Sequence, residues 1–164
     1  MASQRPAPEV SALSKPLSEV RHPDLLFAVD YWNQKRGTRS MPARADLEPL
    51  DFVRLWPHII LIDIRGDDLV VRLVGTAVVA LFGSDYTGQR LAEIDFGRQR
   101  DTILDQYRHV VDGRLPYIVD QPFRDLQGRL FDMERLILPL SNDDRTVNML
   151  FAVLCLSDMR GLDE

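Results

Sequence analysis

The chain has 164 residues, 45% of them hydrophobic, enough for one domain with a single core and modest extensions. A formal net charge of -5 removes the electrostatic reason to expect nucleic acid or an acidic membrane as a partner. The single cysteine, Cys155, excludes an intramolecular disulfide framework and a cysteine-based zinc cluster, and it fits a reducing compartment.

Residues 1–21 carry Pro6, Pro8 and Pro16 among small and polar residues, too little apolar surface to offset the entropy of ordering, so a flexible tail is expected. No stretch approaches the ~20 consecutive apolar residues of a membrane helix, and no apolar block of a secretory signal opens the sequence. Both readings point to a cytoplasmic protein. Residues 22–55 form an N-terminal helical extension. Its first helix is expected to start at Pro23, a good first helical residue, and to stop before Gly37. Leu25, Ala28, Val29 and Trp32 recur on one face of it. That face either packs on its own domain or forms a homodimer seam through Leu25, Val29 and Trp32. Residues 35–44 are rich in cations, but Asp46, Glu48 and Asp51 follow as local partners, so a solvated loop is expected rather than an anion clamp. Asp46 is the expected N-cap of a short helix from Pro49 to Leu55, which Pro57 closes.

The pattern then changes to strands. Residues 58–64 and 69–75 are β-branched runs flanking Arg65-Gly66-Asp67-Asp68, the chemistry of a hairpin turn. Period two places Ile60, Ile62 and Ile64 opposite Asp63, and Leu69, Val71 and Leu73 opposite Arg72. Gly75 breaks the second run into a short apolar helix that Gly83 ends, and Gly88 turns the chain before Leu91 and Ile94. Residues 99–112 form the clearest helix, with Ile103, Leu104, Tyr107, Val110 and Val111 in one stripe and Gly113 as the stop. Strands are expected over 117–123, 130–140 and 147–157, joined by turns at 125–128 and 141–145, with a short tail over 159–164. The last strand is apolar on both faces, which belongs in the middle of a sheet. The result is an α+β fold with helices over one face of an antiparallel sheet.

Over residues 56–158 the chain resembles the PAS superfamily. The resemblance rests on the order of elements and on Gly75-Thr-Ala-Val-Val-Ala-Leu-Phe-Gly-Ser-Asp-Tyr-Thr-Gly-Gln-Arg-Leu. Tyr31-Trp32, Met41-Pro42-Ala43-Arg44 and Leu55-Trp56-Pro57-His58 further resemble a bacterial subgroup of mostly stand-alone PAS proteins. The resemblance implies a five-stranded sheet in the order 2-1-5-4-3, a sensory role and frequent homodimers. It carries over no ligand, because PAS domains bind haem, flavins, small acids or nothing identifiable.

A haem PAS domain uses a histidine on the long helix, but at ~100° per residue His109 falls nearly opposite the apolar stripe and is expected to face water near Asp105. Asp101, Asp105 and His109 lack a fourth partner for a metal. Residues 82–88 hold no thiol, and Cys155 shares a face with Phe151 and Val153 as a small buried hydrophobe. Haem, metal and covalent flavin are therefore disfavoured. Leu73, Leu81, Phe82, Tyr107, Phe131, Ile137 and Phe151 are the residues expected to line any space between helices and sheet. The favoured function is a regulatory module that binds a small apolar molecule or a partner protein and signals through its N-terminal helix. The chain carries no kinase, cyclase or DNA-binding segment, so its output is expected to leave through a partner. Two alternatives are a ligand-free dimerisation module and a small enzyme using His58 and Asp63, which an odd separation in a strand points to opposite faces.

Overall fold

The computed structural model describes residues 19–124 and 128–158. Residues 1–18 of the expected tail over 1–21, the expected tail over 159–164 and most of the expected turn at 125–128 lie outside these residues. Helix α1 spans Pro23–Arg36. The His22 ring accepts the Asp24 N–H, Pro23 occupies the first turn, and Gly37 leaves the helix at φ 59°. Lys35 and Arg36 in the last turn suit the negative end of the helix dipole. A 3-10 segment over Pro49–His58 follows. It runs through Pro57 rather than ending there, and Glu48 occupies its N-cap. Asp46, expected in that role, instead accepts the Ala43 N–H at 2.8 Å and closes the preceding turn. That hydrogen bond, joined by one from Arg39, holds the Asp46 carboxyl below its ordinary range.

Strands β1 (Ile59–Arg65), β2 (Asp68–Val74), β3 (Tyr117–Arg124), β4 (Leu130–Leu140) and β5 (Met149–Asp158) form one antiparallel sheet in the order β2-β1-β5-β4-β3. The doubly apolar β5 lies between β1 and β4, where both of its faces need cover. Helices α2 (Thr76–Phe82) and α3 (Arg100–Gly113) lie over one face. Gly83 ends α2 in the left-handed conformation. At the end of α3, however, Arg114 rather than Gly113 takes φ 57°, so the expected glycine stop lies one residue early.

The N-terminal extension closes the opposite face of the sheet. The Trp32 indole donates to the Pro139 carbonyl at 2.8 Å, and Phe52 meets Phe151 edge-on with centroids 5.4 Å apart. Leu25, Val29 and Trp32 are buried in this chain's own core. They are corrected from seam candidates to self-packing residues, because the outer side of β4 and β5 is as apolar as the inner side and takes up the stripe first. Stripping a large side chain such as Trp32 from a core typically costs about 3–5 kcal/mol. The folded unit also starts before residue 22, for Val20 packs on the core and Arg21 bonds to β4.

The hairpin carries a second correction. Ile60 pairs with Val74, Leu61 with Leu73 and Ile62 with Val71, which leaves Arg72 without an opposite residue. This bulge resets the alternation. Leu73 leaves the face that Leu69 and Val71 share and lies 42% exposed.

Gly75 is required by close approach rather than by φ. A Cβ built there would meet the main-chain oxygens of Trp56 and Pro57, which cannot move without disturbing the junction into β1. We predict that Gly75→Ala lowers stability by about 2 kcal/mol or more in urea unfolding. At Gly113, where an added methyl meets nothing within 4 Å, Gly113→Ala is expected to be neutral or slightly stabilising. Equal effects of the two substitutions would contradict this packing.

Candidate functional site

Between the sheet and its α2–α3 cover lies a cavity of about 220 Å³. Ile60 and Val71 project into it from β1 and β2, Leu81 and Phe82 from α2, Ile103 and Tyr107 from α3, Met133 and Arg135 from β4, and Leu154 from β5. Leu91, Ile94 and Phe96 enclose it from the segment between the two helices. Phe82, Tyr86 and Phe96 form a triangle of rings with centroids 6.1–6.4 Å apart. These three are only partly buried, so they stand on the solvent side of the cavity.

The apolar wall is broken by a buried cluster of polar groups, with Tyr86, Asp95 and Gln99 adding polar atoms on the more exposed side. Arg135 is 3% exposed, and Gln106 and Gln121 are buried beside it. The Arg135 guanidinium donates through Nη2 to Gln106 Oε1. This orientation fixes the rest of the chain: Gln106 Nε2 faces Gln121 Oε1 at 3.4 Å, and Gln121 Nε2 faces Gln99 Oε1 at 3.5 Å. The guanidinium carbon lies 5.1 Å from the Tyr107 ring centroid, a cation–π contact. Its Nε–H is buried with no hydrogen-bond partner among the described residues. Among the described residues no carboxylate forms an ion pair with Arg135. A permanently charged group at the back of the cavity is therefore held by neutral partners alone.

Three of the seven expected lining residues, Leu81, Phe82 and Tyr107, are in the wall. The other four are not. Leu73 is turned away by the bulge, and Phe131 lies near the start of β4 with Arg129 over its ring. Ile137 is fully enclosed in the core, and Phe151 points to the opposite face against Phe52. Arg135, Gln106 and Gln121 were absent from the sequence-based set. Their signal was one of phase: Arg135 has the inward parity of Met133 and Ile137, and Gln106 lies three residues after Ile103 on the buried side of α3.

His109 does not line the cavity. Rather than standing free near Asp105, it is half-buried with its ring centroid 4.5 Å from that of Tyr117. Asp63 lies within ion-pair range of Arg65 and Arg72 at 3.5 and 3.7 Å, and neither it nor His58 reaches the cavity. Cys155 is buried on the far face of β5, and desolvation pushes its thiol up to about 12. Among the described residues there is no group of three or more His, Cys, Asp or Glu that could hold a metal, and no helix is long and apolar enough to cross a membrane.

The chain is similar in fold to several solved structures. A PAS domain from Colwellia psychrerythraea shares 11% identity, with 68% of this chain and 98% of that one covered and a TM-score of 0.50. A light-oxygen-voltage protein from Rhodobacter sphaeroides shares 12%, covering 72% and 73% with a TM-score of 0.52. VqmA bound to DPO shares 13%, covering 66% of this chain and 57% of the other with a TM-score of 0.53. No curated protein matches the sequence. The sequence family described as PAS domain matches residues 20–155, a span that contains the whole α1 cover, all but the end of the sheet and every residue of the cavity wall, and the chain belongs to that family.

Proposed function

We propose that this protein is a sensory PAS module that binds a small molecule in the 220 Å³ cavity and passes its occupancy to a partner protein through α1. The observation that carries this reading is the cavity itself, an apolar space with one buried cation and a few polar groups converging on it. VqmA, similar in fold, was solved bound to DPO, and other similar folds are those of light-oxygen-voltage proteins, one of them studied with a flavin analogue, so this architecture is compatible with small ligands. We read it as a binding module rather than an enzyme, acting in the cytoplasm. A thiol-linked flavin does not fit this reading, because Cys155 points away from the cavity.

A route for the output is built into β4. Adjacent residues of a strand point to opposite faces, so Arg135 on the cavity side is followed back by Glu134 on the α1 side. Glu134 is 1% exposed and accepts the main-chain N–H groups of Arg21 and His22 at 2.9 and 3.0 Å, which anchors the start of α1 to β4. Arg21 adds ion pairs to Asp120 and Asp132 on the same side. A shift of β4 on ligand binding would move the entry of α1. If two copies associate at this end, they would use the exposed Leu26, Leu50, Val53 and Trp56.

Native mass spectrometry of the chain purified from its own cells is expected to show a small added mass that disappears on denaturation. Identical masses in both states, together with a solvent-free interior, would favour the ligand-free dimerisation module instead. The thiol gives a second check. A folded pKa of about 12 against an unfolded value of 9.0 means that Cys155 favours the folded state fully below pH 9, and that this contribution is lost as pH rises from 9 toward 12. At pH 8 the native chain is expected not to react with Ellman's reagent, and to yield one thiol in urea; rapid reaction of the native chain would contradict the packing of β5.

A further inference from the structure

We infer that the cavity selects a small monocarboxylic acid with an apolar body, whose carboxylate pairs with the Arg135 guanidinium in the cavity wall. This rests on the reading of the cavity as a ligand site and adds the class of ligand. A guanidinium does not lose its proton in a protein, so neutralisation has to come from outside the group. Among the described residues it does not come from a neighbour. Glu134 faces the other side of the sheet and is engaged with α1, while Asp95 is exposed at the cavity rim with its Oδ1 accepting the Gly97 N–H at 2.9 Å. The cation keeps a buried Nε–H without a partner, one amide acceptor and an aromatic ring. A buried charge in that condition is costly, and a planar pair of acceptor oxygens is the shape that a guanidinium fork matches.

The remaining wall defines the rest of the ligand. Ile60, Val71, Leu91, Ile94 and Leu154 offer no polar atom, and the remaining polar groups of the wall, Tyr86, Asp95, Gln99, Tyr107 and Gln121, bring no second cation, which disfavours a phosphate or a second carboxylate. The ring triangle of Phe82, Tyr86 and Phe96 suits the face of an aromatic or branched apolar body. A cavity of about 220 Å³ has room for a single-ring acid of about ten non-hydrogen atoms. The amide of Gln121, held only by contacts of 3.4 and 3.5 Å, can turn toward the bound carboxylate without breaking a strong bond, while Gln106 stays on the guanidinium.

The test uses the full chain with benzoate and phenylacetate, each against its neutral amide. Calorimetry is expected to show each acid that binds doing so at least tenfold more tightly than its amide, with a matching rise in melting temperature. Arg135→Gln is expected to abolish that preference, bringing each acid down to about the affinity of its amide. Should R135Q fail to fold, R135K decides the same question, because it keeps the charge without the planar fork and is expected to weaken acid binding several-fold. Acid and amide binding alike, or acid preference that survives in R135Q, would overturn the carboxylate assignment and leave the ligand site standing. Binding of no acid and no amide would overturn both.

Discussion

A strand that is apolar on both faces cannot lie at the edge of a sheet or be left uncovered on either side, and β5 imposes that constraint on the whole chain. Placing β5 between β1 and β4 buries its backbone groups, but it leaves two apolar faces to be covered. The N-terminal extension closes one of them, with Trp32 bonded to Pro139 and Phe52 set against Phe151. The extension is thus part of the folded unit. On the other face α3 supplies a full amphipathic helix, but α2 has only seven residues and is followed by an irregular segment. Over β4 and β5 the outer cover leaves a gap of only about 10 Å³, whereas the inner cover leaves room for a cavity of about 220 Å³.

Two neighbouring charges on β4 give that asymmetry a functional meaning. Glu134 and Arg135 are both buried and point to opposite faces, yet their circumstances differ. Glu134 has the N–H groups that open α1 as partners. Arg135 has a neutral amide, a ring and an open space. Whatever satisfies Arg135 acts one residue away from the point where the N-terminal helix is tied to the sheet. Under the proposed function, sensing and output would be joined through this single strand, without a long chain of intermediates.

Much of the architecture was legible in the sequence because it depends on patterns that tertiary context reinforces. The bounds of α1 follow from Pro23 and Gly37, and the place of β5 follows from its two apolar faces. The site was harder to read. The bulge at Arg72 adds one residue to one strand only, so a strict count of two misplaces Leu73 although each side chain looks ordinary. Asp46 and Gly113 carry the right chemistry for a helix cap and a helix stop, but backbone geometry a residue or two away decided which cap formed. Arg135 was the largest omission. An arginine in an alternating strand reads as an outward residue, and only its parity with Met133 and Ile137 shows that it points inward.

The proposed ligand selection and its proposed link to α1 both require Arg135 to be enclosed, charged and unpaired with the described carboxylates. A crystal structure of the protein as purified, at a resolution that shows ordered solvent, tests this most directly. Density inside the domain in contact with the guanidinium, whether from a bound acid or from ordered water, is the predicted result. A collapsed interior, or an Arg135 side chain turned to bulk solvent or paired with a carboxylate of its own chain, would contradict it.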